Sequence, residues 1–309
     1  MTLLSLHRLI GLVLCVAALN APAAPLPGVE KNIFYGTAAG TALGFDVYTP
    51  AQQNGAAIVF IPGSGWMSAP ESSAPPLSDS SQVATYVPPL TQAGYTVFVV
   101  NYRGMPSSKY PAAVIDTQRA VRFIRHNAAR FGIDPARLGG AGGSSGAHLV
   151  GLLGTLDGAG DPADPDPVNR QSAKLQAVVA RAMPADFLQN GDGKGLGAIT
   201  NFMGVTTRQL MRKDSNEQKA AQLASPINHV TPASAPFLLM HGDVDDVVPI
   251  AQSEHMEAAL KKAGVPVKLL RVEGAGHHPN FKGATSMPDY KGEMVKWFDL
   301  YLRKGGADK

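Results

Sequence analysis

The chain has 309 residues, of which 45% are hydrophobic and 17% charged, with a net charge of +3. That balance supports a substantial core in one large domain or two small ones, and it excludes a disordered or collagen-like chain. No Lys/Arg run or aromatic–basic interleaving appears, which argues against nucleic acid as a partner, and 33 glycines with 24 prolines point to many turns and loops rather than a helical bundle.

The first stretch reads as a targeting segment. Arg8 supplies a basic flank to Leu9–Leu19 (LIGLVLCVAAL), an apolar run too short to span a bilayer. Ala21-Pro22-Ala23 puts small residues at both specificity positions of an export cleavage site, so residues 1–23 are predicted to be a signal peptide cut after Ala23. A lipoprotein anchor through Cys15 is the rival reading, but Leu14 stands where that signal needs a small side chain. Cys15 is the only cysteine, so cleavage removes thiol, disulfide and zinc-finger chemistry. The segment holds one Arg and no acid, which leaves residues 24–309 with a charge of +2. The expected location is secreted or periplasmic, outside the cytoplasm of a bacterium, with no membrane attachment after cleavage.

The rest alternates between strands and helices. Ala56–Ile61, Tyr95–Val100, Gln176–Ala182, Pro236–Met240 and Val267–Val272 are short, continuously apolar runs bounded by Gly or Pro. Such runs fit strands covered on both faces, as in a parallel sheet. Val114, Val121, Ile124 and Ala128 recur at helical spacing, a second helix closes on Lys261, Lys262 and Gly264, and Met294, Trp297, Phe298 and Tyr301 stripe a last one. Alternating β and α predicts one open α/β sheet, mostly parallel, with helices on both faces. Two stretches interrupt it, about 68–89 and 186–232, the latter with a helical fragment over Thr207–Leu223; their length suits small lid or cap insertions. The acids Asp157, Asp161, Asp164 and Asp166 lack a carboxylate at the far end of a calcium loop and read as a solvated turn, as does Asn190–Gly195. No metal or cofactor is expected.

The chemistry concentrates in Leu138-Gly-Gly-Ala-Gly-Gly-Ser-Ser-Gly-Ala-His148. A serine on a sharp strand-to-helix turn needs neighbours without side chains two before and two after, because these pack on each other. Ser144 has Gly142 and Gly146 there, a better fit than Gly143 and Ala147 around Ser145. A dinucleotide loop fails on spacing, and a P-loop fails because no Gly-Lys-Ser/Thr follows. Such a serine needs a general base and an orienting acid. Downstream stand His241-Gly-Asp-Val-Asp-Asp-Val-Val-Pro249 and Gly274-Ala-Gly-His-His278, each after a predicted strand and so on the same sheet edge as Ser144. Phe60-Ile-Pro-Gly-Ser-Gly-Trp66 follows the first strong strand, where a glycine-rich oxyanion loop belongs. The order Ser, Asp, His is that of an α/β-hydrolase.

From about Tyr35 onward the chain resembles the α/β-hydrolase esterases of the hormone-sensitive-lipase and feruloyl/acetyl-xylan esterase (BD-FAE-like) type. Phe45-Asp-Val-Tyr-Thr-Pro50, Asn101-Tyr-Arg103, Gly132-Ile-Asp-Pro135 and Ala224-Ser-Pro-Ile227 all match family phrases. The resemblance implies Ser144 as nucleophile, Asp245 as acid and His277 as base, with Gly63, Ser64 and Ser145 supplying oxyanion amides. Pro62 stands where the family usually has His before its glycines. Trp66, Phe187, Phe202, Met203 and His278 are candidates for the substrate pocket, while His148, His229 and His241 read as structural and Asp243 and Asp246 as solvated. The expected activity is carboxylic-ester hydrolysis of short-acyl or aryl esters, on a small molecule or borne by a polymer. A prolyl-oligopeptidase-like peptidase and a non-catalytic α/β-hydrolase binding protein are the alternatives.

Overall fold

The computed structural model describes residues 28–68, 77–189 and 193–303. The predicted signal peptide, 1–23, lies outside the described residues, as do parts of both predicted insertions. Eight strands form one sheet in the order β1-β2-β4-β3-β5-β6-β7-β8. Strands β1 (Gly28–Ala38) and β2 (Thr41–Thr49) form an antiparallel hairpin, and β2 pairs antiparallel with β4 (Thr96–Val100). From there the sheet is parallel through β3 (Ala57–Ile61), β5 (Leu138–Gly143), β6 (Ala177–Arg181), β7 (Phe237–Gly242) and β8 (Val267–Val272). Every residue of β3 to β7 is buried, which is why these segments show runs of Val, Ile, Leu and Ala instead of alternation.

Helices cover both faces, and each face has its own core. α1 (Ser81–Gln92) lays Val83, Val87 and Leu90 on one face, beside Met294, Phe298 and Leu302 of the last helix, Tyr290–Leu302. The opposite face is covered by α2 (Ala112–His126), α3 (Ser145–Thr155) and the helix Ala251–Lys262, with Val121, Ile124, Leu149, Met256 and Leu260 in the core. Three short helices, α4 (Leu196–Met203), α5 (Thr207–Leu210) and α6 (Asn216–Ala224), lie between β6 and β7. The helices Ala251–Lys262 and Tyr290–Leu302 are therefore α7 and α8.

The chain leaves β3 toward β4 on one side and then crosses to β5 on the other. That reversal opens a crevice at the carboxyl ends of β3 and β5, where ligands settle in open α/β sheets.

Two details differ from the sequence expectation. The stretch 68–89 is polar by composition, yet Ser81 onward is α1, a packed helix with Pro88 and Pro89 inside it. The expected helix over Thr207–Leu223 is broken at Asp214, whose φ of 61° ends one turn before Ser215 caps α6 through a hydrogen bond to the Gln218 amide. The acidic loop is a series of Asx turns, with Asp161, Asp164 and Asp166 accepting from the amides of Ala163, Asp166 and Val168. Among the described residues no cluster of three or more His, Cys, Asp and Glu is placed to hold a metal, and no helix is long and apolar enough to cross a membrane.

Candidate active site

Ser144 sits between β5 and α3 with φ 53° and ψ −123°, a strained conformation for a residue with a side chain. Three features enforce it. The Ser144 amide donates to the Arg181 carbonyl of the neighbouring strand at 2.8 Å. A Cβ on Gly146 would lie 1.9 Å from the Ile61 carbonyl oxygen, and one on Gly142 would lie 2.6 Å from the Gly146 backbone. Neither position admits a larger residue, which is the physical content of the G-x-S-x-G spacing.

The structure brings three of the sequence-selected residues into one chain of hydrogen bonds. His277 Nε2 lies 3.0 Å from Ser144 Oγ, and His277 Nδ1 lies 2.7 Å from Asp245 Oδ2. With Nδ1–H donating to the carboxylate, Nε2 is free to accept the hydroxyl proton. Asp245 is buried, and its other oxygen accepts from the amides of Val247 (2.9 Å) and Val248 (2.8 Å). Burial pushes this carboxyl up, but hydrogen bonds from His241 and His277 outweigh it and hold the group well below the usual carboxylate range. His241 is itself fixed, with Nδ1 2.7 Å from Ser253 Oγ and Nε2 2.9 Å from the Val248 carbonyl.

The neighbouring acids divide. Asp246 is exposed, as expected of a solvated residue. Asp243 accepts from the Gly274 amide at 2.8 Å and so ties the acid loop to the histidine loop. The loop after His277 is held by Arg181 Nη1, which donates to the His277 carbonyl (2.9 Å), and by the Tyr86 hydroxyl, which donates to that of Pro279 (2.6 Å).

The oxyanion loop corrects the expected donor set. The Gly63 amide, an expected donor, is committed to Gln82 Oε1 at 3.0 Å, while Gln82 Nε2 donates back to the Gly63 carbonyl at 3.3 Å. The Ser64 amide is committed to Ser145 Oγ at 2.9 Å, and Ser64 Oγ meets the Met67 carbonyl and the Tyr102 hydroxyl. The amides of Gly65 and Ser145 donate to no other protein group among the described residues. Ser145 stands at the N-terminus of α3, where first-turn amides are unsatisfied by the helix and the dipole favours negative charge.

A cavity of about 340 Å³ opens onto Ser144 and His277, a size suited to a small ligand. Trp66, Pro184, Ile199, Val247 and Val248 give it apolar walls. The other expected pocket residues are elsewhere. Phe187, Phe202 and Met203 do not line it; Phe202 stacks on the Trp66 ring at 4.6 Å, and Phe187 stacks on His148 at 4.8 Å. His148 accepts from Trp66 Nε1 at 3.1 Å, and its Nε2 lies 2.7 Å from the Ala224 carbonyl. Phe202 of α4 and Phe187 thus complete a buried aromatic cluster behind Trp66, with Phe202 stacked on one face of the indole. His278 is exposed, with Nδ1 against Asn280 Oδ1 (2.7 Å), and also lies off the lining. Arg181 and Gln82, which line the cavity, escape sequence inspection because neither sits in a recognisable pattern.

Comparison with known proteins places this geometry in context. The BD-FAE family model matches residues 45–260. Esterase LipQ of Mycobacterium tuberculosis (strain ATCC 25618 / H37Rv) is 30% identical over 222 residues, 71% of this chain and 51% of its own length. The chain spans about half the length of the curated relatives it matches first, LipQ and Esterase LipC of the same organism. A solved truncated form of a carbohydrate esterase from gut microbiota superposes with a TM-score of 0.73 at 27% identity, covering 90% of this chain and 98% of that one. An acetyl ester-xyloside bifunctional hydrolase from Caldicellulosiruptor lactoaceticus shares the fold, with a TM-score of 0.72 at 23% identity over 90% and 97% of the two chains.

Proposed function

The chain belongs to the BD-FAE family and has the α/β-hydrolase fold, and from that premise we propose that it hydrolyses carboxylic esters through an acyl-enzyme on Ser144. The observation that carries this reading is the unbroken series Ser144 Oγ, His277 Nε2, His277 Nδ1 and Asp245 Oδ2, with contacts of 3.0 and 2.7 Å.

In this mechanism Ser144 Oγ attacks the ester carbonyl as His277 takes its proton. Asp245, charged and buried, fixes the imidazole tautomer and stabilises the imidazolium. The carbonyl oxygen becomes an oxyanion for which the Ser145 and Gly65 amides are the uncommitted donors, each such donor being worth about 3 kcal/mol in the transition state. His277 then protonates the leaving alkoxide. Water, deprotonated by the same histidine, attacks the acyl-enzyme and releases the acid and Ser144. No cofactor enters the scheme.

The cavity's size supports short-acyl or aryl esters, and the likeness to a carbohydrate esterase supports carbohydrate-borne esters among them. The test is a panel of p-nitrophenyl acyl esters with methyl ferulate, acetylated xylan and a prolyl peptide p-nitroanilide. Ester turnover that vanishes in Ser144→Ala is the expected result; cleavage of the anilide in preference to every ester would favour a peptidase instead. We propose also that residues 1–23 are removed on export, so that the intact mass of protein recovered outside the cytoplasm begins at Ala24; an uncleaved N-terminus there would contradict it.

A further inference from the structure

Arg181 is the last residue of β6, in register with Gly143, the residue before the nucleophile. Its side chain is only 1% exposed yet lines the cavity. Nη1 donates to the His277 carbonyl at 2.9 Å. This is the only hydrogen bond of the guanidinium among the described residues, and Nε is buried without a partner.

No carboxylate of the described residues forms an ion pair with Arg181. Asp245, whose charge it feels, is already engaged by His277 and by the amides of Val247 and Val248. Burying a cation without a counter-charge is among the costliest arrangements in a protein, so an unpaired one beside a nucleophile calls for a reason.

Bracing His277 accounts for Nη1 alone. It leaves Nη2, which is neither bonded nor, unlike Nε, sealed off, to offer a charge-assisted hydrogen bond to an anion in the cavity. Gly143, the residue before Ser144 in the G-x-S-x-G turn, leaves room for the guanidinium and the Gln82 amide together: a Cβ there would stand 2.4 Å from Gln82 Oε1 and 3.1 Å from both Nε and Nη2. The cavity has no Asp or Glu in its lining, and its one other lysine or arginine is Lys194. Apart from these two cations and Ser64, Gln82, Ser144 and His277, its lining side chains are apolar, which strengthens a charge-assisted bond made inside it.

We propose that Arg181 is a carboxylate-recognition residue and that the site takes esters carrying a free carboxylate close to the scissile bond. Such substrates are hemiesters of short dicarboxylic acids, with the charge on the acyl half, or esters of hydroxy acids, with the charge on the alcohol half. The inference rests on the esterase reading above and narrows its substrate class. The carboxylate is a spectator: the bond broken is the ester C–O bond, and the charge stays with its own half of the substrate.

The test compares matched pairs by pH-stat at constant ionic strength. Monomethyl succinate against dimethyl succinate reads the acyl side, and 4-acetoxybenzoate against methyl 4-acetoxybenzoate reads the alcohol side. The expected result is that the anionic member of one pair has a kcat/KM at least about tenfold above its neutral partner. Arg181→Gln should then lower kcat/KM for that anion about ten- to hundredfold more than for the neutral ester, the span a hydrogen bond to a charged group is worth. Arg181→Lys, which keeps the charge on a differently shaped head, should fall between the wild type and Arg181→Gln.

Calorimetric titration of glutarate and glutaramide into Ser144→Ala reads the same cation without turnover and without altering Arg181; glutarate alone should bind. Neutral esters turned over with no preference for either anion, and no glutarate binding, would overturn the proposal while leaving the esterase reading intact. Equal losses on charged and neutral esters in Arg181→Gln would reduce the residue to a brace for His277 and overturn it too. Failure of every ester with no dependence on Ser144 would instead sink the esterase reading, and the titration would still decide whether Arg181 binds a carboxylate.

Discussion

Adjacent serines in the elbow have different work. Ser144 Oγ faces His277, whereas Ser145 Oγ accepts the Ser64 amide and belongs to the bracing of the oxyanion loop. Ser144→Ala should abolish ester turnover. Ser145→Ala, which keeps the amide but removes the acceptor of the Ser64 amide, should lower kcat by roughly tenfold, since small displacements of a positioned group are costly. Gln82→Met should act similarly, as it removes both bonds to the Gly63 backbone, and the loss should fall on kcat more than on KM. Steady-state kinetics on a short neutral ester checks both; a Gln82→Met enzyme with unchanged kcat would show that the loop holds itself. Asp245→Asn should cost about four orders of magnitude by leaving the wrong imidazole tautomer, while exposed Asp246→Asn stays near wild type. The three residues of the proposed triad are legible in sequence because each carries a pattern: glycines two residues either side of Ser144, and short polar loops after strands in a fixed order. Gln82 and Arg181 carry none. A glutamine on a helix and an arginine closing a strand acquire meaning only when the fold brings them to Gly63, Gly143 and His277.

Among the elements, α3 couples the elbow to the aromatic cluster through His148. This ring is fully buried between the Trp66 indole and the Ala224 carbonyl, and burial pushes its pKa down to about 4, with the bond to Ala224 opposing in part. The unfolded chain titrates near 6.5 and therefore binds the proton first as pH falls. The stabilisation is complete above pH 6.5 and is lost progressively toward pH 4, amounting to about 2 kcal/mol by pH 5. Urea midpoints at pH 7 and pH 5 should therefore differ less in His148→Gln than in the wild type; an unchanged difference would place the acid sensitivity elsewhere. The parallel strands are legible because burial on both faces forces continuous apolarity. The hairpin of β1 and β2 is not, since seven of the eleven residues of β1 are solvent-exposed and only Tyr35 is buried in the core. α1 was masked by its two internal prolines, although Thr91 Oγ returns a hydrogen bond to the Pro88 carbonyl and the apolar side of the helix still packs.

Across the whole molecule, the reversal of strand order at β3 puts the Gly63–Gly65 loop, Ser144, Asp245 and His277 on one edge, and the segment between β6 and β7 supplies part of the cavity wall above them. That wall sets the reach of the cavity. Phe187 and Phe202, which a long acyl tunnel would expose to substrate, are buried against Trp66 and His148. Acetyl and butyryl esters should therefore be cleaved well, with kcat/KM falling beyond roughly eight carbons, because each further methylene that stays in water forgoes about 0.8 kcal/mol of burial. Palmitoyl esters turned over faster than butyryl esters, below the micellar limit, would contradict this. The central claim, that this fold activates Ser144 as a nucleophile, is tested most directly by a fluorophosphonate probe followed by peptide mapping. The account predicts one phosphonyl group per chain, on Ser144, formed far more slowly in Asp245→Asn and not at all in Ser144→Ala. A protein that stays unlabelled, or carries the group on Ser145, would contradict it.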